Sequence, residues 1–116
     1  KYTEDTVFAA DDHRSHRPRS WLINGLKKIK TLDFLTSPES GRTLGQAALL
    51  WLLAEKTVAS TLPNIYNEEQ LVEFTEEKPY LSEDELNRVE ELFAENFGVV
   101  EDPCNFKGTM ERDSAA

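Results

Sequence analysis

The feature that most constrains this fold is the segment after Thr43, which is apolar on nearly every side. Thr43 and Gln46 are spaced as a capping box, in which each side chain bonds the other residue's free backbone N–H, and this predicts a helix start. The apolar residues that follow are Leu44, Ala47, Ala48, Leu49, Leu50, Trp51, Leu52, Leu53 and Ala54. Because such a helix has little polar face, it has to be covered on several sides. A chain of 116 residues has few elements to cover it, which suggests a larger protein body.

A single short strand is predicted at residues 57–62, where β-branched residues precede Pro63 and Asn64. A lone strand cannot satisfy its own backbone N–H and C=O groups. It therefore needs neighbouring strands that the sequence does not supply, unless copies of the chain associate.

Three further helices are predicted from apolar periodicity and capping residues. Their limits are Ser20 to about Thr36, Asn67 to a stop at residues 78–80, and the capping box of Ser82 and Glu85 to a left-handed cap at Gly98. The chain is thus expected to be mostly α in isolation. It comprises a loop at residues 1–19, the order helix–helix–strand–helix–helix over 20–98, and a tail over 99–116.

Charge and composition exclude several classes of function. A net charge of −9 argues against a general nucleic-acid binder, since such proteins gain affinity by neutralising phosphates. Most of the acidity lies in residues 65–116, as solvated helix faces or, alternatively, as an acidic docking surface. The single cysteine, Cys104, cannot form an internal disulfide, which favours a reducing, cytoplasmic location. No apolar run approaches the roughly 18 residues of a membrane span, so no membrane partner is expected.

The residues themselves form no complete catalytic constellation. Asp11, His13 and His16 are mixed oxygen and nitrogen ligands, but their spacing matches no strong metal signature and three nearby arginines would repel a cation. This loop contacts an anionic ligand or is a plain surface loop. Cys104 has no histidine near it in sequence to act as a base. No metal site and no catalytic residue are therefore predicted.

The turn that leads into the helix at Asn67 is more informative. Free backbone N–H groups at a helix N-terminus suit a phosphate, a carboxylate or a sugar edge. Gln70 and Glu73 lie one turn apart on this helix and could hydrogen-bond a ribose or a base. The alternative is an ordinary capped surface helix.

Five segments, taken in order, resemble the C-terminal part of the aldo/keto reductases, which are NAD(P)H-dependent (β/α)8-barrel enzymes. The matching segments are residues 1–19 (the loop after the seventh strand), 43–53 (the helix before the last strand), 60–64 (the last strand and its phosphate-facing turn), 67–73 (the cofactor helix) and 81–86 (the closing helix). The resemblance implies that the chain is the C-terminal portion of a TIM barrel, with its last helices and last strand. It would explain both the apolar helix and the isolated strand.

The resemblance also implies a site for the adenine-nucleotide side of NADP or NAD. The cofactor-binding residues it indicates are Pro63, Asn64, Ile65, Tyr66, Gln70 and Glu73. Tyr66 stands where the family usually has the Arg or Lys that pairs with the 2′-phosphate of NADP, and Phe74 stands where it usually has Asn. Losing that cation removes a charge-assisted hydrogen bond, so we expect weakened NADP preference, with Tyr66 stacking on the adenine.

The function implied is reduction of an aldehyde or ketone to an alcohol, with the cofactor and a small carbonyl substrate bound together with the rest of the barrel. The family's catalytic Asp, Tyr, Lys and His lie N-terminal to these segments, and His13 and His16 match none of them. The alternative is a non-catalytic helical interaction or oligomerisation module that self-associates through exposed apolar surfaces.

Overall fold

A computed structural model describes residues 2–100, which fold as four α-helices and three short 3₁₀-helices without a strand. The α-helices are α1 (Arg19–Lys30), α2 (Leu44–Ala54), α3 (Glu68–Thr75) and α4 (Glu83–Ala94), and the 3₁₀-helices are His13–His16, Asp33–Thr36 and Asn96–Gly98. The prediction of a mostly α chain is confirmed. Membership of a (β/α)8 barrel stays a prediction.

The prediction of a strand at residues 57–62 is wrong for this chain. These residues follow α2 as irregular chain, and the Val58 N–H donates to the Glu55 carbonyl at 3.0 Å in the turn that ends the helix. A strand is stable only when another strand accepts and donates its ladder hydrogen bonds. No second strand forms anywhere in residues 2–100, and the Leu62 side chain is left 97% exposed. β-Branched composition alone therefore does not produce a strand here.

Helix α1 begins slightly earlier than its sequence suggests, with Pro18 rather than Ser20 as the N-cap residue. The Pro18 carbonyl accepts from the Trp21 N–H at 3.0 Å. Proline suits this end of a helix because its fixed φ and its missing N–H cost nothing before the first turn is complete. The start of α1 is thus determined by the backbone of Pro18.

The helix predicted to reach Thr36 ends instead at Lys30, and a separate 3₁₀-helix covers Asp33–Thr36. Thr31 causes the interruption, because its N–H and its hydroxyl both donate to the Lys28 carbonyl, at 3.1 and 2.7 Å. A threonine hydroxyl that bonds a nearby carbonyl competes with the regular helical pattern. The chain therefore tightens and turns at this point.

The predicted N-terminal caps are confirmed at three helices. In α2 the Gln46 N–H donates to Thr43 Oγ1 and the Thr43 N–H to Gln46 Oε1, at 3.1 and 2.9 Å. Ser82 and Glu85 repeat this arrangement at α4. Asn67 caps α3 through its side-chain oxygen. Each cap satisfies backbone donors that a helix start leaves unpaired.

The chain after α4 stays folded up to Val99, which is buried. Gly98 has the predicted left-handed φ, +73°, but it does not cap the helix: α4 ends at Ala94 with Glu95 as its C-cap, and Asn96 and Phe97 already have positive φ. The Asn96 amide donates to the Val99 carbonyl at 2.9 Å and holds this turn together. Most of the tail predicted at 99–116 lies outside the described residues.

The core is small and lies between α2, α4 and the 3₁₀-helix Asp33–Thr36. Its buried residues are Leu35, Ala47 and Leu81, with Leu32, Phe34, Leu50, Leu86 and Val89 packed around them. Helix α2 is thus covered by this core and, at its start, by α3, whereas Trp51, Leu52 and Leu53 near its end are exposed. The apolar composition of α2 requires burial on several sides, and the elements within residues 2–100 do not provide all of it.

The two helical glycines offer a matched test of how closely α2 approaches α3. A Cβ built on Gly45 would lie 2.9 Å from Phe74 Cε1, whereas a Cβ on Gly25 in α1 would meet nothing within 4 Å. We expect Gly25→Ala to raise the free energy of unfolding by about 0.5–1 kcal/mol, because alanine is the better helix former. Gly45→Ala should lower it by about 1–2 kcal/mol through overpacking. Urea unfolding measures both, and equal effects would contradict the close approach.

Candidate functional site

Four residues of the predicted nucleotide site, 63–66, form the irregular segment before α3, which is called the turn below. The other two, Gln70 and Glu73, lie on α3 itself. Pro63 and Ile65 line an open cavity of about 360 Å³ between the end of α2, the turn and α3. Asn64 and Tyr66 are exposed, and the Tyr66 side chain has 82% of its surface in solvent. Pro63 and Ile65 therefore border the cavity, whereas the Tyr66 side chain lies in solvent.

Two hydrogen bonds fix the turn to the first turn of α3. The Tyr66 N–H donates to Gln70 Oε1, and the Gln70 N–H donates to Asn67 Oδ1, both at 2.8 Å. The Gln70 side chain thus accepts from the residue before the cap, whereas the Gln46 side chain in α2 accepts from the cap residue itself. Because both bonds close over one helical turn, the position of Tyr66 is coupled to the side chain of Gln70.

The side chain of Glu73 is directed towards α2. The Thr43 hydroxyl donates to Glu73 Oε1, and Gln46 Nε2 donates to the Glu73 carbonyl at 2.7 Å. Gln46 is itself buried. Glu73 therefore joins α3 to the capped start of α2, and the position of α3 depends on this contact.

The cavity beside the turn has mainly apolar walls with polar groups at its rim. Its apolar walls come from α2, the turn and α3, and include Leu49, Leu50, Leu53, Pro63, Ile65 and Phe74. At the rim Lys78 Nζ lies 2.9 Å from Glu76 Oε1, and this hydrogen bond lowers the pKa of Glu76. Such walls suit an apolar side chain or the apolar part of a ligand.

The sequence reasoning did not indicate this cavity or the role of Phe74 in it. Phe74 lines the cavity and also lies against Gly45 across the α2–α3 contact. The spacing of Leu49 and Leu53, four residues apart on α2, was the available signal, because residues so spaced share one helix face. The facing element could not be inferred, since nothing local to α2 specifies where α3 returns.

The N-terminal loop is organised by arginines rather than by its histidines. Arg14 donates to both carboxylate oxygens of Asp12 through Nε at 3.0 Å and to the Tyr2 hydroxyl at 2.8 Å. Its guanidinium also lies 4.5 Å from the centre of the Phe8 ring. Arg19 reaches from α1 to the carbonyls of residues 4 and 6. Arg14 therefore holds the loop together and Arg19 holds it on α1, and an anionic ligand would compete with bonds already made.

His13 and His16 both lie in the 3₁₀-helix that Asp12 caps, and both are exposed. In residues 2–100 no group of three or more metal-ligating side chains comes together. In the same part of the chain, no helix is long and apolar enough to cross a membrane. Cys104 lies outside the described residues.

The hydrogen bond from Arg14 lowers the pKa of Asp12 from 3.8 to about 2. Because the folded-state pKa is the lower one, the contact stabilises the loop fully above the unfolded pKa and is lost as the pH falls through about 2. We expect the Asp12 carboxyl carbon to titrate with a midpoint near pH 2 in an NMR experiment. In Arg14→Gln the midpoint should rise towards the ordinary value. A wild-type midpoint already at that value would contradict the contact.

Comparisons with protein-family models, with curated proteins and with solved structures found no match.

Proposed function

We propose that this chain is the C-terminal portion of an oxidoreductase of the aldo/keto reductase type. It supplies the adenine-nucleotide side of an NADP or NAD site, and the complete protein reduces an aldehyde or ketone to an alcohol. The proposal rests on one observation: the five segments, from the loop at 1–19 to the closing helix at 81–86, follow one another in the order that the family has.

The exposed apolar surface of α2 supports this proposal. Trp51, Leu52 and Leu53 are all exposed near the C-terminal end of α2, and Leu62 is exposed in the chain that follows. Exposed large apolar residues grouped in this way normally mark a contact with another part of a protein or with another molecule. In a (β/α)8 barrel the helix before the last strand packs on the sheet and the last strand pairs with two neighbours, so both exposed features would be covered.

The residues at the turn fit the adenosine part of such a cofactor. Tyr66 offers an exposed aromatic face for a purine, and stacking of this kind is worth about 1–3 kcal/mol per base. Gln70 Oε1 accepts from the Tyr66 N–H, and Gln70 Nε2 can donate to a ribose or base oxygen. Glu73 acts indirectly: its carboxylate accepts from the Thr43 hydroxyl and in this way positions α3.

The proposed roles of this chain are binding and orientation. When bound, the nicotinamide supplies the hydride chemistry, and the catalytic groups come from the remainder of the barrel. Pro63 and Ile65 provide an apolar support under the turn, while Tyr66 and Gln70 contact the nucleotide. The chain's effect on the reaction is therefore expected in the affinity for the cofactor rather than in the chemical step.

The proposal is tested on the protein purified from its source with an antibody to this chain. We expect an intact mass well above that of 116 residues, or a stable partner chain, and carbonyl-dependent oxidation of NADH or NADPH. In that protein Gln70→Ala should weaken ADP-ribose binding about tenfold, through the loss of one or two hydrogen bonds. Asn87→Ala, an exposed amide on α4, is the matched control and should leave binding unchanged. A species of 116 residues without a partner and without nucleotide binding would exclude the proposal.

The same exposed apolar residues favour a second candidate, a non-catalytic interaction module. In that case the chain would associate with itself or another protein without nucleotide. Analytical ultracentrifugation separates the two, because the module should form a defined complex in which Trp51→Glu lowers the association, with no change on adding ADP-ribose.

A further inference from the structure

Gln46 is one of two polar residues that are buried within residues 2–100, and its side chain is only 4% exposed. Its Oε1 accepts from the Thr43 N–H at 2.9 Å, which completes the capping box at the start of α2. A capping box needs only that acceptor, and at α4 it comes from Glu85, which is not buried. The box therefore explains the oxygen of the Gln46 amide but not its nitrogen or its burial.

The nitrogen of the Gln46 amide caps the opposite end of a second helix. Nε2 donates to the Glu73 carbonyl at 2.7 Å. Because α3 ends at Thr75, this carbonyl is among the last four of the helix, which have no partner within it. The last turn of α3 has no basic side chain that could donate instead. One amide thus caps the N-terminus of α2 with its oxygen and the C-terminus of α3 with its nitrogen.

Helix α3 depends on this attachment because it is short. It has eight residues, and a helix of about two turns is marginal in water without tertiary contacts. The contact with α2 is close, since a Cβ on Gly45 would lie 2.9 Å from Phe74 Cε1 and 3.2 Å from Glu73 Oε1. Within the described chain, the start of α2 therefore determines where the C-terminal half of α3 lies.

The N-terminal half of α3 carries the residues of the candidate site. Gln70 lies three positions before Glu73 on the same helix, and its Oε1 accepts from the Tyr66 N–H at 2.8 Å. We infer that Gln46 is a positioning residue of the proposed nucleotide site: its amide fixes α3, and α3 fixes Gln70 and the turn. This inference rests on the proposed function, because it concerns that same site. Gln46 acts through α3 and not by contact with the nucleotide.

The test replaces Gln46 by methionine, which has a similar volume but neither amide atom. Calorimetric titration of the complete protein with ADP-ribose should show binding about tenfold weaker in Gln46→Met than in the wild type. Ser82→Ala is the matched control, because it breaks a capping box of the same kind at α4. Since Ser82 does not cap α3, the control should leave ADP-ribose binding unchanged.

Hydrogen exchange separates positioning of α3 from general stabilisation of the fold. In Gln46→Met the amides of Tyr66 and Glu76, which bond Gln70 and the Val72 carbonyl, should exchange at least about fivefold faster. The Leu86 amide, which bonds the Ser82 carbonyl in α4, should change much less. This measurement needs no nucleotide.

The outcomes separate the inference from the proposal beneath it. Unchanged ADP-ribose binding in Gln46→Met, or an equal loss in Ser82→Ala, would overturn the inference and leave the proposed function standing. An equal rise in exchange at all three amides would show that Gln46 only stabilises the fold, and this too would overturn its positioning role. Absence of ADP-ribose binding in the wild type would remove the proposed function and the inference with it.

Discussion

Replacing Arg42 by methionine is expected to lower the free energy of unfolding by about 3–5 kcal/mol. The Arg42 side chain is only 2% exposed, and its guanidinium forms an ion pair with Glu85, whose side chain is 21% exposed. Methionine fills a similar volume, so the loss reports the charge and the hydrogen bonds rather than a cavity. A carboxylate left without its partner in a largely buried position is among the most costly changes in a protein.

Arg42 also donates to three backbone carbonyls, of which that of Leu35 accepts in addition from the Ser40 hydroxyl at 3.5 Å. Its Nε donates to the Leu35 carbonyl at 3.1 Å, and Nη1 donates to the carbonyls of Pro79 and Tyr80 at 3.0 and 3.1 Å. A buried acceptor without a donor costs about 1–3 kcal/mol, and of the three bonds the one to Leu35 is buried while the other two are part-buried. One side chain thus joins the 3₁₀-helix Asp33–Thr36, the segment before α4 and Glu85 in the first turn of α4.

Arg88→Met is the matched control for this prediction. Arg88 is exposed on α4, where its guanidinium lies 5.1 Å from the centre of the Phe34 ring. A cation–π contact at an exposed site is worth about 0.5–1 kcal/mol, so the control should lose no more than that. Urea unfolding followed by far-UV circular dichroism gives both values. Similar losses in the two variants would mean that the Arg42 bridge contributes no more than a surface contact.

Leu35→Ala is expected to lower the free energy of unfolding by about 2–5 kcal/mol, the usual range for a leucine in a closed core. Leu35 is 4% exposed and packs with Ala47 and Leu81. Because Ala47 is fully buried and small, it cannot move to fill the space that the substitution leaves. Most of the transfer and cavity cost should therefore be retained.

Leu62→Ala removes the same atoms from a side chain that is 97% exposed, and it should change the stability of this chain by less than about 0.5 kcal/mol. The difference between the two leucines is the quantity to measure in the unfolding experiment. A large loss at Leu62 in the protein from its source would show that a further part of that protein covers this residue. A small loss at Leu35 would contradict the core described here.

The starts of α2, α3 and α4 could be predicted from the sequence because each depends on residues three positions apart, whereas the start of α1, which has no side-chain cap, was predicted two residues late. Thr43 with Gln46 and Ser82 with Glu85 form their boxes through local hydrogen bonds, whatever the rest of the chain does. The break of the first helix at Thr31 was missed for a similar local reason, since hydroxyl bonding to a nearby carbonyl is not visible in an apolar periodicity.

Long-range features were beyond sequence reasoning. Arg42 and Glu85 are 43 positions apart, and nothing in either neighbourhood specifies the other. The strand at 57–62 failed because strand formation depends on a partner rather than on the segment itself. At the candidate site the same distinction holds. The Asn67 cap was predicted, whereas the contact that directs Glu73 to Thr43 spans 30 positions and was not.

Trp51 gives the exposed side of α2 an optical signal of its own. Its side chain is 46% exposed, whereas Trp21 is half-buried with its ring 6.4 Å from that of Phe8. Iodide should therefore quench Trp51 preferentially in the free chain. Covering of that face, whether by further chain of the same protein or by a second molecule, should abolish the quenching and shift the emission to shorter wavelength. Trp21, which lies in α1 and not on the exposed part of α2, serves as the internal reference.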